Sequence, residues 1–539
     1  MRAVSVFDVW KGAAAALYSL LLCANTAGAT DWPQFRGPAT DSSTPDAMAV
    51  NWPASGPTVV WTNAALTNGF SCLAVTGSRA FAMISKSADG VNYTEYCVGI
   101  DAATGATLWA TPIDVAPWDP TYSGDGGSGA PPYYTGDGPR TTPSVAGGRV
   151  IALSGLMHLV CVNATNGSVL WSNNLPAAFG ASTIAWENAA SPCLDNDLVF
   201  VNLNSSFNNQ NLAAFRVADG SLAWSGQNEN VTHATPIVTT IQGVRQVVFA
   251  TQTGLVSLDR STGALLWKYT YPFFPISTSM GAGPVVYSNI VFCTAAYGRG
   301  AAAVQVTLTG GTWSVQQLFY NTGPNYRSIW MSPVCYQGYI YMFSGENSTF
   351  LTAPLNCIEL STGHLMWTTN NFGMGGLILV NTNLLMLSER GELILAQPSP
   401  TRYLELARYQ AFHFSADAPG KCWVHPTFSN GRIYARSTRG AISLDASVAA
   451  AAPPLKLLAP QLLSSTQLQL TVATADGTPL NSNRVPRIEV RSTNAPTAAV
   501  ATWPKLTNPL VLGLDGVARL TNAIAPGQSN QFYNAIEHP

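Results

Sequence analysis

Ile100–Trp109 reads IDAATGATLW, with a glycine four residues ahead of a tryptophan and a polar turn between two apolar runs. The same pattern returns as VNATNGSVLW (Val162–Trp171), FRVADGSLAW (Phe215–Trp224), LDRSTGALLW (Leu258–Trp267) and IELSTGHLMW (Ile358–Trp367). A polar turn ending in glycine between alternating apolar runs predicts a hairpin, because glycine takes positive φ cheaply. Side chains alternate with period two along a strand, so the constant offset fixes the face from which Trp109, Trp171, Trp224, Trp267 and Trp367 project. Such recurrence assigns these tryptophans a structural docking role.

A second element, a short strand followed by a turn and another strand, occurs eight times and supplies the count. Pro143, Pro192, Pro236, Pro284, Pro333 and Pro426 mark one position in six copies; Cys72 and Gly376 stand there in the others. From Pro143 onward the copies are spaced by 49, 44, 48, 49, 43 and 50 residues. A period of that length filled by four strands predicts a propeller blade. The expected fold is all-β: an eight-bladed β-propeller over residues 57–447. The eighth copy stops after AISLDAS, before a fourth strand, and an open ring would leave an unpaired edge. GPTVVWTN (Gly56–Asn63), carrying Trp61, is therefore expected to supply the outer strand of the last blade and close the ring.

The N-terminus reads as a signal peptide over residues 1–29, with Arg2 and Lys11 before an apolar run and small residues at Ala27 and Ala29. Cleavage after Ala29 makes Thr30 the first mature residue, in the periplasm or outside the cell, with cell-surface association also open. DWPQFRGP (Asp31–Pro38) falls in a segment, residues 30–56, expected to pack its aromatics on the propeller's rim. Charged residues make up 10% of the chain and nearly cancel, 26 basic against 28 acidic. That balance gives no electrostatic reason to expect nucleic acid as a partner. No segment beyond the N-terminus is long and apolar enough to span a bilayer, and a monomer is expected. Eight of the nine cysteines lie beyond residue 29, most within apolar strand patterns. Sequence does not choose their pairing. Residues 448–460 read as an Ala/Pro linker, and residues 461–539 as a small β-sandwich-like module serving as spacer or surface attachment.

DWPQFRGP after a signal, with the repeated D-x-x-T-G-x-x-x-W, resembles the PQQ-like (pyrroloquinoline quinone repeat) β-propeller family of secreted bacterial proteins. That family lies in the quinoprotein alcohol dehydrogenase-like superfamily. The likeness covers about residues 31–447. It implies a propeller in which function is not fixed by fold, since the superfamily holds both calcium- and PQQ-dependent dehydrogenases and a cofactor-free outer-membrane assembly lipoprotein.

In a propeller the connectors into each inner strand open on one face around the central channel. Arg140, His233, Trp330 and Trp423 each lie three residues before the marker position; Glu187 and Asn188 precede Pro192, Arg327 shares the connector of Trp330, and His425 ends the connector of Trp423. These side chains are expected to converge on one mouth as a ligand funnel. The longest connector, Pro112–Arg140, is rich in glycine, aromatics and aspartate and could cover that mouth. Two functions follow. One is a binding or scaffold propeller taking a small molecule or protein at this face. The other, implied by the resemblance, is a PQQ- and calcium-dependent dehydrogenase. There Glu187 and Asn188 would hold calcium, Arg140 would polarise the quinone, and Trp330 or Trp423 would stack on it. No base is marked by a motif, Asp417 being unsupported, and the adjacent cysteine pair of the family's alcohol dehydrogenases is absent. No G-x-S-x-G elbow points to hydrolysis. The binding role leads, with PQQ and calcium tied to the second reading.

Overall fold

The computed structural model describes residues 30–87, 92–117, 138–272, 280–346, 351–415, 420–448, 452–496, 499–524 and 531–538. The stretch 1–29 expected to be a signal peptide, the connector core 118–137 and Asp417 lie outside them. The chain forms two compact units, residues 26–448 and a C-terminal unit beginning at Ala449.

The larger unit is a β-propeller fold. Its described residues form eight sheets, each containing an antiparallel four-stranded meander. The first is typical: Ala74–Thr76, Arg79–Ser87, Asn92–Asp101 and Thr107–Pro117 pair in sequence order. The eighth joins Thr427–Ser429, Arg432–Ser437 and Arg439–Asp445 to the distant strand Thr58–Thr67, in antiparallel register from Thr58 opposite Asp445 to Thr67 opposite Arg439. Alternation along the strands sends apolar side chains to both faces of every sheet, so each gap between sheets fills with its own core. Phe81 and Met83 of the first sheet meet Val150 and Val162 of the second. The pattern continues around to Trp61 and Tyr434 of the eighth, which meet Val75 and Ile84 of the first.

The Gly–Trp pattern has a clear physical cause. Trp61, Trp109, Trp171 and Trp224 each lie over the glycine of the following sheet's turn. A Cβ added at Gly105 would meet Trp61 at 2.5 Å; at Gly167 it would meet Trp109, at Gly220 Trp171 and at Gly263 Trp224, each at 2.6 Å. The indole N–H then donates to the carbonyl three residues before that glycine, at Ala102, Ala164, Val217 and Arg260 respectively. Trp367 donates to Ser399 of the seventh sheet's turn, while Trp267 bonds Gln246 in its own sheet and packs toward the fifth. Where the pattern is lost from the sequence, another aromatic fills the place. Phe319 lies 2.5 Å from a Cβ at Gly363, and Tyr409 lies 2.1 Å from one at Gly56.

The residue before the marker proline explains itself in the same way. Backbone N–H groups of Cys72, Thr142 and Ser191 donate to the hydroxyls of Thr142, Ser191 and Thr235, so hydroxyls at the second, third and fourth sheets each hold the preceding one. Gly283 N–H donates likewise to Ser332.

Within the segment 30–56, residues 32–44 follow the first strands of the sheets rather than the rim. Trp32 exchanges backbone bonds with Val75, Pro33 accepts from Val145, and Gln34 bonds both the N–H and the carbonyl of Leu194. Thr40 does the same with Val238; Arg36 donates to Pro284 O, and Ser43–Thr44 pairs in parallel with Leu379–Val380. Inner strands present unpaired backbone groups to the axis, and this segment satisfies them. Burial pulls Arg36 down to about 10, with Asp41 acting against it.

The eight described cysteines are unpaired, and all but Cys335 are buried. Burial raises every one of these thiols above its usual range.

The C-terminal unit has a sheet of Leu455–Leu457, Gln461–Ser464, Gln467–Thr474, Val511–Leu512 and Ala518–Ala523, with a second pair, Ile488–Thr493 and Phe532–Glu537. Leu470, Val472, Val490, Leu520 and Ala535 fill its core. The strand Leu455–Leu457 begins inside the stretch expected to be a linker; its two leucines are buried in that core.

Candidate functional site

A cavity of about 320 Å³ opens where the connectors meet, and five of the anticipated residues line it: Arg140, His233, Trp330, Trp423 and His425. Phe35, Phe70, Trp186, Tyr297 and Lys421 join them. The first of these comes from the axial segment: the Phe35 ring meets His425 edge-on at 5.3 Å.

One wall is a packed aromatic cluster. The rings of Trp330 and Trp423 lie 4.7 Å apart, and Phe70 stacks on Trp423 at 5.3 Å. Lys421 Nζ sits 4.0 Å from the Trp423 ring centroid, a cation–π contact. The Trp423 Nε1–H donates to Oε1 of buried Glu389, whose Oε2 accepts from the backbone of Leu351 and Met374. Trp423 is thus held in place from both ends. On the opposite side Arg140 donates to Trp186 O at 3.1 Å and lies 5.9 Å from the Trp186 ring. Trp186 and Glu187 both take positive φ, 71° and 58°. Bulky residues rarely adopt that conformation, and two in succession mark a turn imposed by its surroundings.

The interior offers unused hydrogen-bonding atoms. Trp330 Nε1 and His233 Nε2 are enclosed without a partner, and the His425 ring is buried with only the Leu377 carbonyl acting to raise its basicity. Burial, then the charge of Arg140, holds His233 down near 4 despite the carbonyls of Ala185 and Glu187. Burial, then Arg36, takes His425 to about 3. Both rings are neutral at physiological pH.

A pH prediction follows. The folded state resists protonating His425 while the unfolded chain binds that proton near pH 6.5. Stability should therefore fall as pH drops from 6.5 toward 3, by up to about 1.4 kcal/mol per pH unit for this group. Urea midpoints at pH 6.5 and 4.5 should converge in His425→Gln relative to the parent chain. Equal slopes in the two proteins would refute a neutral buried imidazole.

The other anticipated residues lie elsewhere. Arg327 pairs with Glu346 at 3.1 Å and donates to Thr322 O, while Glu346 accepts from the backbone of Tyr297. It therefore braces a lining residue from outside the cavity. Glu187 and Asn188 border a separate shallow depression. The amide of Asn188 is spent on its own connector, bonding Ala190 N–H, Ala190 O and Ser154 O.

These residues do not fit the calcium and quinone arrangement. No carboxylate is among the described residues lining the cavity, so among them neither a carboxylate ligand for calcium nor a carboxylate base stands there. Among the described residues no cluster of three or more His, Cys, Asp or Glu side chains has metal-binding geometry. Among them, too, no helix is long and apolar enough to cross a membrane.

Trp186 and Lys421 were within reach of sequence reasoning, being one and two residues from Glu187 and Trp423. Phe35 and Phe70 carried no comparable signal.

Residues 94–325 match the sequence model of a family described as outer membrane protein assembly factor BamB. No curated protein matches the chain significantly. Among solved structures, quinohemoprotein alcohol dehydrogenase from Comamonas testosteroni is similar over 80% of this chain and 82% of its own. It is 11% identical, with a TM-score of 0.54. BamB from Moraxella catarrhalis is similar over 72% of this chain and 99% of its own, at 14% identity and a TM-score of 0.45. The four-stranded meanders and the likeness to the Comamonas structure show a β-propeller fold, and residues 94–325 are similar to the PQQ-like repeat family named for BamB.

Proposed function

We propose that this is an exported, monomeric eight-bladed propeller that binds a flat, negatively charged small molecule at its connector face. The strand Thr58–Thr67 acts as the latch of the ring. Support for the ring comes from the core shared by the eighth and first sheets and from the bond of Thr427 Oγ1 to Leu73 O. Export rests on the N-terminal sequence and accords with a family model named for an outer-membrane assembly factor. The C-terminal unit serves as a spacer or surface attachment.

One observation carries the ligand reading. Arg140 and Lys421 line an aromatic-walled cavity whose described lining has no carboxylate, and whose depth holds an unpartnered indole N–H. An anion gains Coulomb energy from the two cations, its ring packs against indole, and an oxygen satisfies Trp330 Nε1. A PQQ- and calcium-dependent dehydrogenase is the weaker reading, for the missing carboxylates given above.

The test is tryptophan fluorescence with 2-naphthoate and its uncharged amide. Naphthoate should bind at least about tenfold more tightly, a difference of roughly 1.4 kcal/mol. Arg140→Gln combined with Lys421→Gln should erase that advantage while leaving the amide unaffected. Equal affinity for both probes would exclude a charge-selective site. Retention of PQQ through desalting only when calcium is present, with alcohol-dependent dye reduction, would establish the dehydrogenase instead.

A further inference from the structure

The start of the axial segment lies against its own far end. Thr30 N donates to Asp46 Oδ2 at 2.8 Å, and Thr30 O accepts from Ser429 Oγ at 3.1 Å. Between these pins the chain makes its bonds to Val75, Val145, Leu194, Val238 and Pro284 and reaches the cavity through Phe35. Thr30 is also the residue that cleavage after Ala29 would expose.

We propose that signal removal completes this segment by creating an ion pair between the new α-ammonium of Thr30 and the Asp46 carboxylate. Water hydrolyses the Ala29–Thr30 peptide bond; its oxygen goes to the Ala29 carboxylate, and the freed nitrogen becomes an ammonium by taking up protons. An amide N–H already directed at a carboxylate oxygen becomes a cationic donor in the same place. The bond of the uncleaved chain has an ionised acceptor but a neutral donor. Cleavage adds a positive charge on the donor, so Coulomb attraction between opposite charges reinforces the bond. It tightens a loop that follows the inner strands and reaches the cavity through Phe35. The inference goes beyond the ligand reading and depends on the export reading, which N-terminal sequencing checks separately.

Trypsin provides the readout, because Arg36 precedes Gly37 inside the pinned loop and is buried. A chain beginning at Thr30 is compared with the same chain acetylated on its α-amino group, each with and without Asp46→Asn. Release of the Thr30–Arg36 peptide is followed by mass spectrometry. Acetylation and Asp46→Asn should each speed release about fivefold, and the two together should be no faster than either alone. Absence of an acetylation effect, or additive effects, would overturn the ion pair. An exported chain whose first residue is not Thr30 would overturn it as well. Acetylation is applied to folded protein, so that arm remains decisive if the Asp46 variant fails to fold.

Discussion

Arg436→Met is expected to lose about 3–5 kcal/mol of folding free energy, read as a fall in the urea midpoint. Arg436 is completely buried on the second strand of the eighth sheet. Its guanidinium donates to five backbone carbonyls: Leu66 through Nε, Ser71 and Met83 through Nη1, Thr67 and Asn68 through Nη2. Those carbonyls lie at the end of the strand Thr58–Thr67, on the chain leading from it into the first sheet and on that sheet's second strand, so one side chain ties the last sheet to the first. Burial pulls the group down to about 10, so it remains charged at neutral pH. Methionine fills similar space but leaves the carbonyls without donors, each a cost of about 1–3 kcal/mol if water cannot reach it. Arg436→Lys should recover little, since an ammonium has three donors and no planar fork. A midpoint change worth less than about 1 kcal/mol would show that the junction is held by other contacts.

Trp61→Ala should be comparably damaging, about 3–5 kcal/mol, the usual range for a buried tryptophan. Trp61 is 6% exposed, donates to Ala102 O, packs beside Tyr434 at 6.0 Å and covers Gly105. Its strand is the outer member of the eighth sheet, so loosening it bares the edge of Arg439–Asp445 and favours aggregation. Trp313→Ala is the control. Phe319, not Trp313, occupies the docking position in the fifth sheet, and the loss there should be under about 1.5 kcal/mol. Equal losses at the two sites would mean that tryptophan content, rather than docking over a glycine, governs stability.

The repeat was plain in the sequence because both its members recur at fixed spacing. Its three-dimensional meaning was not, because Trp109 meets Gly167 rather than its own Gly105. Contacts between neighbouring sheets leave no mark in the periodicity of either. Phe319 and Tyr409 escaped notice since their hairpins lack the regular Gly–Trp offset. The route of residues 31–44 was hidden for a different reason: many of its bonds are made by backbone, which any sequence carries. Counting back from the marker prolines did find Arg140, His233, Trp330, Trp423 and His425. The same counting placed Glu187 beside them, but a left-handed turn at Trp186 and Glu187 directs the tryptophan to the cavity instead. Arg327 was drawn away by Glu346.

The axial segment also bears on how the molecule is made. Ribosomes deliver residues 31–44 before any of the sheets, yet the backbone groups they satisfy are spread from Val75 in the first sheet to Leu379 and Asn381 in the seventh. Its first contacts can form with the first two sheets, but its last ones wait for the seventh, and contacts so remote in sequence form slowly. Truncation before the seventh sheet should therefore leave residues 42–44 without their backbone partners.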